Sequence, residues 1–413
     1  MSRSVRIVAA AACLALAAFA GGAAVSSVLA DRQPDLASAV SPINGEALEN
    51  LARRQLVASA EARTNAAQQR QQSVDPFALR VTERIGDTAL AAYQEEPMAA
   101  GAVFLLALQK HQRGRTGDAA QLLRRTREFT LRNEGINLFL AQQAAKANDV
   151  PETLSLFDEV LRTSRQSRGA ILQQFVLATA DPGFAQQTYQ LLSSNPPWST
   201  DFWQAVPDEP ASVRSLARLR LQLSGRNLPF DQQADKRIVY ALLANKDYEL
   251  VEDLYARIVP DAQGNTGNLV RNGDFTLTSK LPPVDWDTYA TGDFSSEIEP
   301  KASVLYASAV SAPGGAVARQ WLSLPPGRYR LMARANIFDM LDGDTFLLRL
   351  QCIEGGEERR DIPLKGGVVS AFLEVPPGGC GQYWLDVVLS PGEANPGFEA
   401  ELEQIVVERV GRS

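Results

Sequence analysis

The chain has 413 residues, 45% of them hydrophobic, which is more than one ordinary core holds and enough to fold two or three domains. The formal net charge is −7: residues 262–413 carry 20 acidic and 13 basic side chains, and the rest of the chain carries 28 of each. This balance excludes the basic surface that nucleic-acid-binding proteins need, so we predict no nucleic-acid partner.

The first thirty residues have the pattern of an export signal. Arg3 and Arg6 precede an apolar run over residues 7–30, which ends in "VLA" before Asp31. A basic start, an apolar stretch and small residues at its end are typical of a cleaved secretory signal. The run is also long enough to cross a bilayer and stay as an anchor. Both alternatives place the remainder outside the cytoplasm, with the inner membrane as a partner if the segment is not cleaved. A third alternative is that the run forms a buried N-terminal helix of the folded protein.

Residues 31–75 are rich in Ala, Gln, Arg and Ser and have little apolar periodicity. This composition predicts a spacer that is partly disordered or helical. The spacer would separate the folded part of the chain from the membrane or from the cleavage point.

Residues 76–260 predict a domain of helical hairpins. Apolar segments recur at an offset of 34 residues, which aligns Gly101 with Gly135 and the turn residue Gly114 with Asn148. A helix–turn–helix period of this length is the signature of tetratricopeptide repeats, whose units stack into a solenoid. The period is lost after "PPW" at residues 196–198, so an irregular stack of α-hairpins is the alternative. By analogy with solenoids in general, this domain is expected to bind a protein partner.

Residues 268–410 predict a second domain built of β-strands. The segments "GRYRLMARANI" and "TFLLRLQC" alternate in polarity at period two, and Gly, Pro and Asp separate such segments. This pattern predicts an antiparallel β-sandwich or jelly roll. The predicted fold class is therefore α + β in several domains, with an N-terminal α-solenoid followed by a C-terminal sandwich.

Two cysteines lie in the predicted sandwich. Cys352 and Cys380 are a natural disulfide candidate in an exported protein. The alternative is a pair of free buried thiols.

The sequence has few signs of an enzyme. It contains one histidine, His111, and no G-x-S-x-G elbow, phosphate-binding P-loop, zinc spacing or H-E-x-x-H motif. Glycoside hydrolysis needs only two carboxylates, which keeps a hydrolase or lyase acting through acidic residues of the sandwich open. We predict a protein that is not an enzyme and holds no cofactor.

The candidate ligand-binding residues are aromatic side chains of the predicted sandwich. The C–H faces of a sugar stack on flat rings, while carboxylates and amides take its hydroxyl groups. The available rings are Trp286, Tyr289, Trp321, Tyr383 and Trp384. Period two places Tyr383 and Trp384 on opposite faces of a strand, so one of the two should point outward. The competing interpretation is that these rings fill the core.

The segment "FDMLDGDTF" brings Asp339, Asp342 and Asp344 close together in the chain. Oxygen ligands at this spacing could hold a structural Ca²⁺ ion. Asp-Gly is also a turn signal, so a simple β-turn before a strand competes with the metal site.

The sandwich segment resembles the galactose-binding-like jelly-roll domains, which include carbohydrate-binding modules. The resemblance covers residues 268–410 and rests on "NLVRNGDF", "PVDW" and "ARQWLSLPPGRYRLMARANI". The matching residues are Asn268, Leu269, Asn272, Gly273, Phe275, Trp286, Gln320, Leu324, Gly327, Tyr329 and Leu331. The resemblance implies a jelly-roll fold and, less specifically, a glycan ligand.

The whole chain resembles a family of exported tetratricopeptide proteins from alphaproteobacteria, whose genes often lie among exopolysaccharide genes. The matching features are "PPW" with the aromatic pair after it, "LPPGRYRL" at residues 324–331, and the cysteines of "LRLQC" and "CGQYWL". The resemblance implies a periplasmic role in polysaccharide assembly or export. We therefore predict an accessory protein with a protein partner on its repeats and a glycan on its sandwich. A carbohydrate-active hydrolase or lyase, and a scaffold without glycan binding, are the alternatives.

Overall fold

The computed structural model describes residues 20–69, 80–165, 168–206, 208–226, 231–259, 267–310, 314–354 and 359–411. Residues 1–19, which hold much of the predicted signal or anchor, lie outside this described part. Within it, no helix is both long and apolar enough to cross a membrane. The chain divides into two compact units, Met1–Ile171 and Leu172–Ser413.

The described part of the first unit consists of helices. Residues 20–29 are helical. The helices after them are α1 Pro34–Val40, α2 Gly45–Gln69, α3 Glu83–Glu95, α4 Ala100–Gln112, α5 Thr116–Arg127, α6 Glu134–Lys146 and α7 Val150–Thr163. The stretch predicted as a spacer forms α1 and α2 where it is described. Ala52 and Leu56 of α2 are buried in one core with side chains of α3 and α4, so this stretch belongs to the folded unit.

The helix pairs α4–α5 and α6–α7 correspond to the hairpins that the offset of 34 residues predicts. Their turns contain Gly114 and Asn148 at φ values of 80° and 56°, a left-handed conformation that Gly and Asn adopt most readily. Gly135 lets α6 approach α4, because an added Cβ would lie 2.8 Å from Cζ of Phe104. The hairpins are therefore present, while their stacking into a regular solenoid stays a prediction.

The second unit contains helices as well as the sandwich. Its helices are α9 Pro182–Leu192, α10 Ser199–Gln204, α11 Pro210–Leu223, α12 Gln232–Ala244 and α13 Tyr248–Ile258, and α8 Arg168–Ala178 crosses the border between the units. The rings of Phe175, Trp198 and Phe202 meet edge to face and are buried, so the "PPW" motif supplies core aromatics. The predicted boundary near residue 260 separates helices from strands but does not separate compact units.

The described strands form two five-stranded antiparallel sheets. They are β1 Asp287–Thr288, β2 Phe294–Glu299, β3 Val304–Ala309, β4 Gly315–Ser323, β5 Gly327–Phe338, β6 Thr345–Cys352, β7 Arg359–Pro363, β8 Gly367–Val375, β9 Gln382–Ser390 and β10 Phe398–Arg409. The first sheet has the order β1–β4–β9–β6–β7, and the second sheet has the order β2–β3–β10–β5–β8. Inward side chains of both sheets share one core. The prediction of helices followed by an antiparallel β-sandwich is confirmed.

The "NLVRNGDF" segment ties the start of the sandwich to its last strand. The Asn268 side chain accepts hydrogen bonds from Val270 N (3.0 Å) and Val407 N (2.9 Å), and its Nδ2 donates to Ile405 O (2.9 Å). Ile405 N in turn donates to Gly273 O at 2.7 Å. A Cβ at Gly273 would collide with the Ile405 carbonyl, so this position requires glycine. The motif is thus explained by backbone pairing with β10.

Cys352 at the end of β6 and Cys380 ahead of β9 form a disulfide. The two residues are 28 positions apart in the chain. The bond closes a loop that contains β7 and β8 and ties it to the first sheet.

Candidate functional site

Three of the five aromatic residues predicted to bind a ligand are buried. Trp286 packs against Phe275 with ring centroids 5.6 Å apart, and its Nε1 donates to Asn272 O (3.2 Å). Tyr383 belongs to the core between the sheets, and Trp321 is fully buried on the outer face of the first sheet. None of the three presents a ring face to solvent, so the structure makes them core residues rather than a ligand platform.

The helices α12 and α13 cover the aromatic outer face of the first sheet. Tyr248 of α13 stacks on Trp321 with centroids 6.1 Å apart and planes 16° apart. Tyr240 of α12 lies 5.8 Å from the ring of Trp384. The guanidinium carbon of Arg319 lies 4.8 Å from the centroid of the same ring. The ring of Trp384 is therefore already in contact with an aromatic ring and a guanidinium group of the protein itself.

A polar network fixes this contact. Lys236 Nζ and the Tyr240 hydroxyl donate to the two carboxylate oxygens of Asp287 at 2.6 Å and 2.7 Å. The hydroxyl oxygens of Tyr240 and Tyr289 are 3.2 Å apart. Burial raises the pKa of Tyr240, and the hydrogen bonds with Tyr289 and Asp287 raise it further. Tyr289, the fifth predicted ligand residue, thus joins the helix to the sheet.

The outer face of the second sheet is where polar and aromatic side chains are accessible. Tyr306 of β3 lies directly opposite Glu297 of β2 and Glu401 of β10. Glu401 is in turn opposite Asn336 of β5. We call the following cluster of exposed or half-exposed side chains the open face: Glu297, Tyr306, Asn336, Phe338, Glu399 and Glu401. Opposite residues on neighbouring strands have Cβ atoms about 5 Å apart, so the side chains of this cluster can contact one ligand.

Tyr306 is the central aromatic residue of the open face. Burial raises the pKa of its hydroxyl to about 12, helped by a hydrogen bond to Glu399 and by the negative charges of Glu399 and Glu401. The hydroxyl is protonated at neutral pH, as an ordinary tyrosine is, and its proton is shared with Glu399. Phe338, also exposed, lies opposite Glu399 at a distance of about 12 Å from Tyr306, estimated from strand spacing and rise.

The open face offers hydrogen-bonding groups beside flat rings. Carboxylates of Glu297 and Glu401 accept hydrogen bonds, and the amide of Asn336, which donates to Glu403 Oε1 (2.7 Å), also has an acceptor oxygen. Arginines of the same sheet pair with other acidic residues, Arg330 with Glu408 and Arg334 with Glu403. This composition suits a hydroxyl-rich ligand that stacks one face on a ring.

The predicted calcium ligands do not form a metal site. Among the described residues, no group of three or more His, Cys, Asp or Glu side chains is arranged to hold a metal ion, which excludes the set Asp339, Asp342 and Asp344. Asp344 instead accepts hydrogen bonds from Leu341 N (2.7 Å) and Gly392 N (2.6 Å). Burial alone would raise the pKa of Asp344, but these bonds lower it below the ordinary range. The carboxylate holds a turn together, as the competing interpretation expected.

His111 occupies a structural position in the first unit. Its Nδ1 lies 2.8 Å from Thr116 Oγ1, and its ring meets Phe139 edge to face at 5.3 Å. These contacts join α4 to α5 and α6.

The residues of the open face were missed by sequence reasoning. The signal that could have found them is the period-two alternation of "FSSEIE", "VLYASA" and "FEAELEQ", which places Glu297, Tyr306 and Glu401 on one side of their strands. The strand order that places β10 beside β3 was not readable, because β10 lies about 90 residues after β3 in the chain, whereas β2 and β3 are consecutive strands. The large aromatic residues that the sequence predicts as ligand contacts, three Trp and two Tyr, are instead buried or covered.

No protein-family model matches the chain, and no curated protein matches it. Among solved structures, TmCBM61 in complex with β-1,4-galactotriose has a TM-score of 0.24 and 13% identity, over 35% of this chain and 99% of that chain. A CBM4 structure has a TM-score of 0.26 and 12% identity, over 34% and 99%. A Bacteroides thetaiotaomicron protein described as sugar-binding has a TM-score of 0.26 and 10% identity, over 35% and 100%. At TM-scores this low, the likenesses carry no inference about what the chain binds.

Proposed function

We propose that this chain is a non-enzymatic accessory protein whose sandwich binds a glycan on the open face and whose helical hairpins bind a protein partner. It acts in the periplasm, either soluble or held at the inner membrane by its N-terminal segment. Its proposed setting is the synthesis or export of an exopolysaccharide. That setting follows from the resemblance of the whole chain to exported tetratricopeptide proteins of exopolysaccharide loci.

The open face is the observation that carries the glycan proposal. Tyr306 offers a half-buried ring, and Glu297 and Glu401 flank it on the two neighbouring strands. A sugar ring seated on Tyr306 would stack its C–H face on the aromatic ring and place hydroxyl groups within reach of both carboxylates. Phe338 would support a second position of an extended chain on the same surface.

The covered face of the first sheet supports the same assignment by elimination. Its aromatic rings contact Tyr240, Tyr248 and Arg319, so a glycan would have to displace two helices to reach them. Displacement would also break the hydrogen bonds of Lys236 and Tyr240 to the buried carboxylate of Asp287. A charged group deprived of such partners inside a protein costs several kcal/mol.

The proposed protein partner would bind the helical hairpins of the first unit. Phe129 and Leu131, which follow α5, are among the exposed large hydrophobic side chains of the described residues. Neighbouring exposed apolar residues are common at surfaces that contact other proteins. The resemblance to tetratricopeptide repeats points to the same class of partner.

A glycan array probed with the full chain tests the proposed function. We expect binding to at least one polysaccharide, loss of that binding in Tyr306→Ala, and unchanged binding in Phe372→Ala. Phe372 is a matched control because it is exposed on the same sheet, on the edge strand β8, three strands from Tyr306. Incubation of the captured polysaccharide with the protein should leave its chain length unchanged, and shortening would contradict the non-enzymatic part of the proposal.

A further inference from the structure

The N-terminal end of the first unit is integrated into the fold upstream of the predicted cleavage point. Ser26 is fully buried: its Oγ donates to Ala37 O (2.8 Å) and accepts a hydrogen bond from Asn44 Nδ2 (2.8 Å). Asn50 Nδ2 donates to Ala30 O at 3.2 Å. Cleavage after Ala30 would therefore remove hydrogen-bond partners of α1, of α2 and of the turn between them.

A small apolar cluster leads to the same conclusion. Ala30 is buried together with Ala37 of α1 and Ala47 of α2. Gly22 lies against Val40, since a Cβ added there would be 3.8 Å from the Val40 carbonyl oxygen. Residues 20–30 thus pack on α1 and α2 as part of the unit, and loss of this segment would expose the alanine cluster.

The same end of the unit exposes large apolar side chains. Of the 18 exposed large hydrophobic residues in the described part of the chain, five fall within residues 25–43. They are Val25, Val28, Leu36, Val40 and Ile43. Val25 and Val28 are three positions apart on one helix, and Leu36 and Val40 are four apart on the next, so each helix presents an apolar pair on one side. We call these five residues the collar.

The position of the collar in the chain indicates which kind of partner contacts these exposed apolar side chains. Residues 7–19, which precede it by a short Ala/Gly stretch, are all apolar and follow the basic residues Arg3 and Arg6. An apolar surface that continues directly from such a run is suited to the boundary between lipid headgroups and acyl chains. We propose that the N-terminal segment is retained in the mature protein and that the collar lies against the lipid bilayer into which this segment leads.

This inference goes beyond the proposed function and does not depend on glycan binding. Its consequence is a fixed arrangement in which the first unit is held at the membrane surface through α1 and α2. A cleaved signal would instead leave the protein free of the membrane and without residues 20–30.

Two measurements on the full chain test the inference. The first is the intact mass of the protein after expression with a C-terminal tag in a Gram-negative host. We expect residues 20–30 to be present, and a mature chain that begins at Asp31 would overturn the proposal.

The second measurement places an environment-sensitive fluorophore at Val28→Cys or Ile43→Cys, in a Cys13→Ala background, with the protein reconstituted in phosphatidylethanolamine–phosphatidylglycerol vesicles. Cys352 and Cys380 are bonded to each other, so each variant has one reactive thiol. We expect emission to shift to shorter wavelength in vesicles and to be quenched by lipid-attached spin labels, and we expect neither effect at the control Leu131→Cys.

Two outcomes of the fluorescence measurement would overturn lipid contact. Emission at both collar positions that matches Leu131→Cys in vesicles would show that the collar faces water. A shift that is the same with and without lipid, and insensitive to the lipid quencher, would show that protein covers the collar instead.

Discussion

Replacement of Trp321 by alanine distinguishes a role of this side chain in core packing from a role in ligand binding. The ring is fully buried, stacks on Tyr248 and lies 5.6 Å from the guanidinium carbon of Arg271, and its Nε1 has no hydrogen-bond partner among the described residues. Its contribution is therefore mainly packing of the ring. A buried indole removes roughly 200 Å² from water, and at about 25 cal/mol per Å² this gives about 5 kcal/mol as an upper figure. Because large aromatic-to-alanine changes in cores cost about 3–5 kcal/mol, we expect Trp321→Ala to lower the unfolding free energy of the second unit by about 4 kcal/mol.

Urea unfolding followed by near-ultraviolet circular dichroism measures this loss, with Trp321→Phe as the control. Phenylalanine keeps a ring against Tyr248 and should recover a large part of the stability. A loss below about 1 kcal/mol, typical of surface positions, would refute the buried placement of Trp321. Loss of glycan binding in a Trp321→Ala protein that remains folded would refute the conclusion that the covered face is not the ligand site.

Three further predictions concern the contacts that hold the second unit together. The double-mutant cycle of Asp287→Asn and Lys236→Met should give a coupling free energy of about 1–3 kcal/mol in urea unfolding, and additive losses would contradict the ion pair. Burial raises the pKa of Tyr255 to about 12 against 10 in the unfolded chain. The stability that the protonated Tyr255 hydroxyl contributes is therefore fully present below pH 10 and is lost as the pH rises to about 12. In Tyr255→Phe, the midpoint of urea unfolding should fall less steeply over this pH range. Reduction of the bond between Cys352 and Cys380 should lower the unfolding free energy by about 3–4 kcal/mol for a loop of this length, and an unchanged midpoint in reductant would contradict it.

The fold could be predicted from local patterns because each pattern has a local physical cause. Gly114 and Asn148 marked turns since few other residues adopt a left-handed conformation, and the structure places both there. Alternation at period two predicted the sandwich, because one side of each strand must face the core. The stretch at residues 31–75 was harder to predict: its helices bury mainly small side chains such as Ala52, which give a weak apolar period.

The candidate site depended on contacts that local patterns do not contain. Trp321 alternates with its neighbours as an outward residue of a strand and does point away from the inter-sheet core, but α13 buries it. Whether an outward aromatic is free or covered depends on which helix packs there. Tyr306 acquires Glu401 as a neighbour only through strand order, since Glu401 follows it by most of the domain, while Glu297 comes from the preceding strand.

Affinity electrophoresis of the full chain tests the central claim most directly. Gels would contain the polysaccharides captured on the array, and wild type, Tyr306→Ala and Phe372→Ala would be run side by side. We predict that wild type and Phe372→Ala are retarded equally and that Tyr306→Ala binds about tenfold more weakly, which corresponds to about 1.4 kcal/mol. Equal retardation of Tyr306→Ala and wild type, or no retardation by any polysaccharide, would contradict glycan binding on the open face.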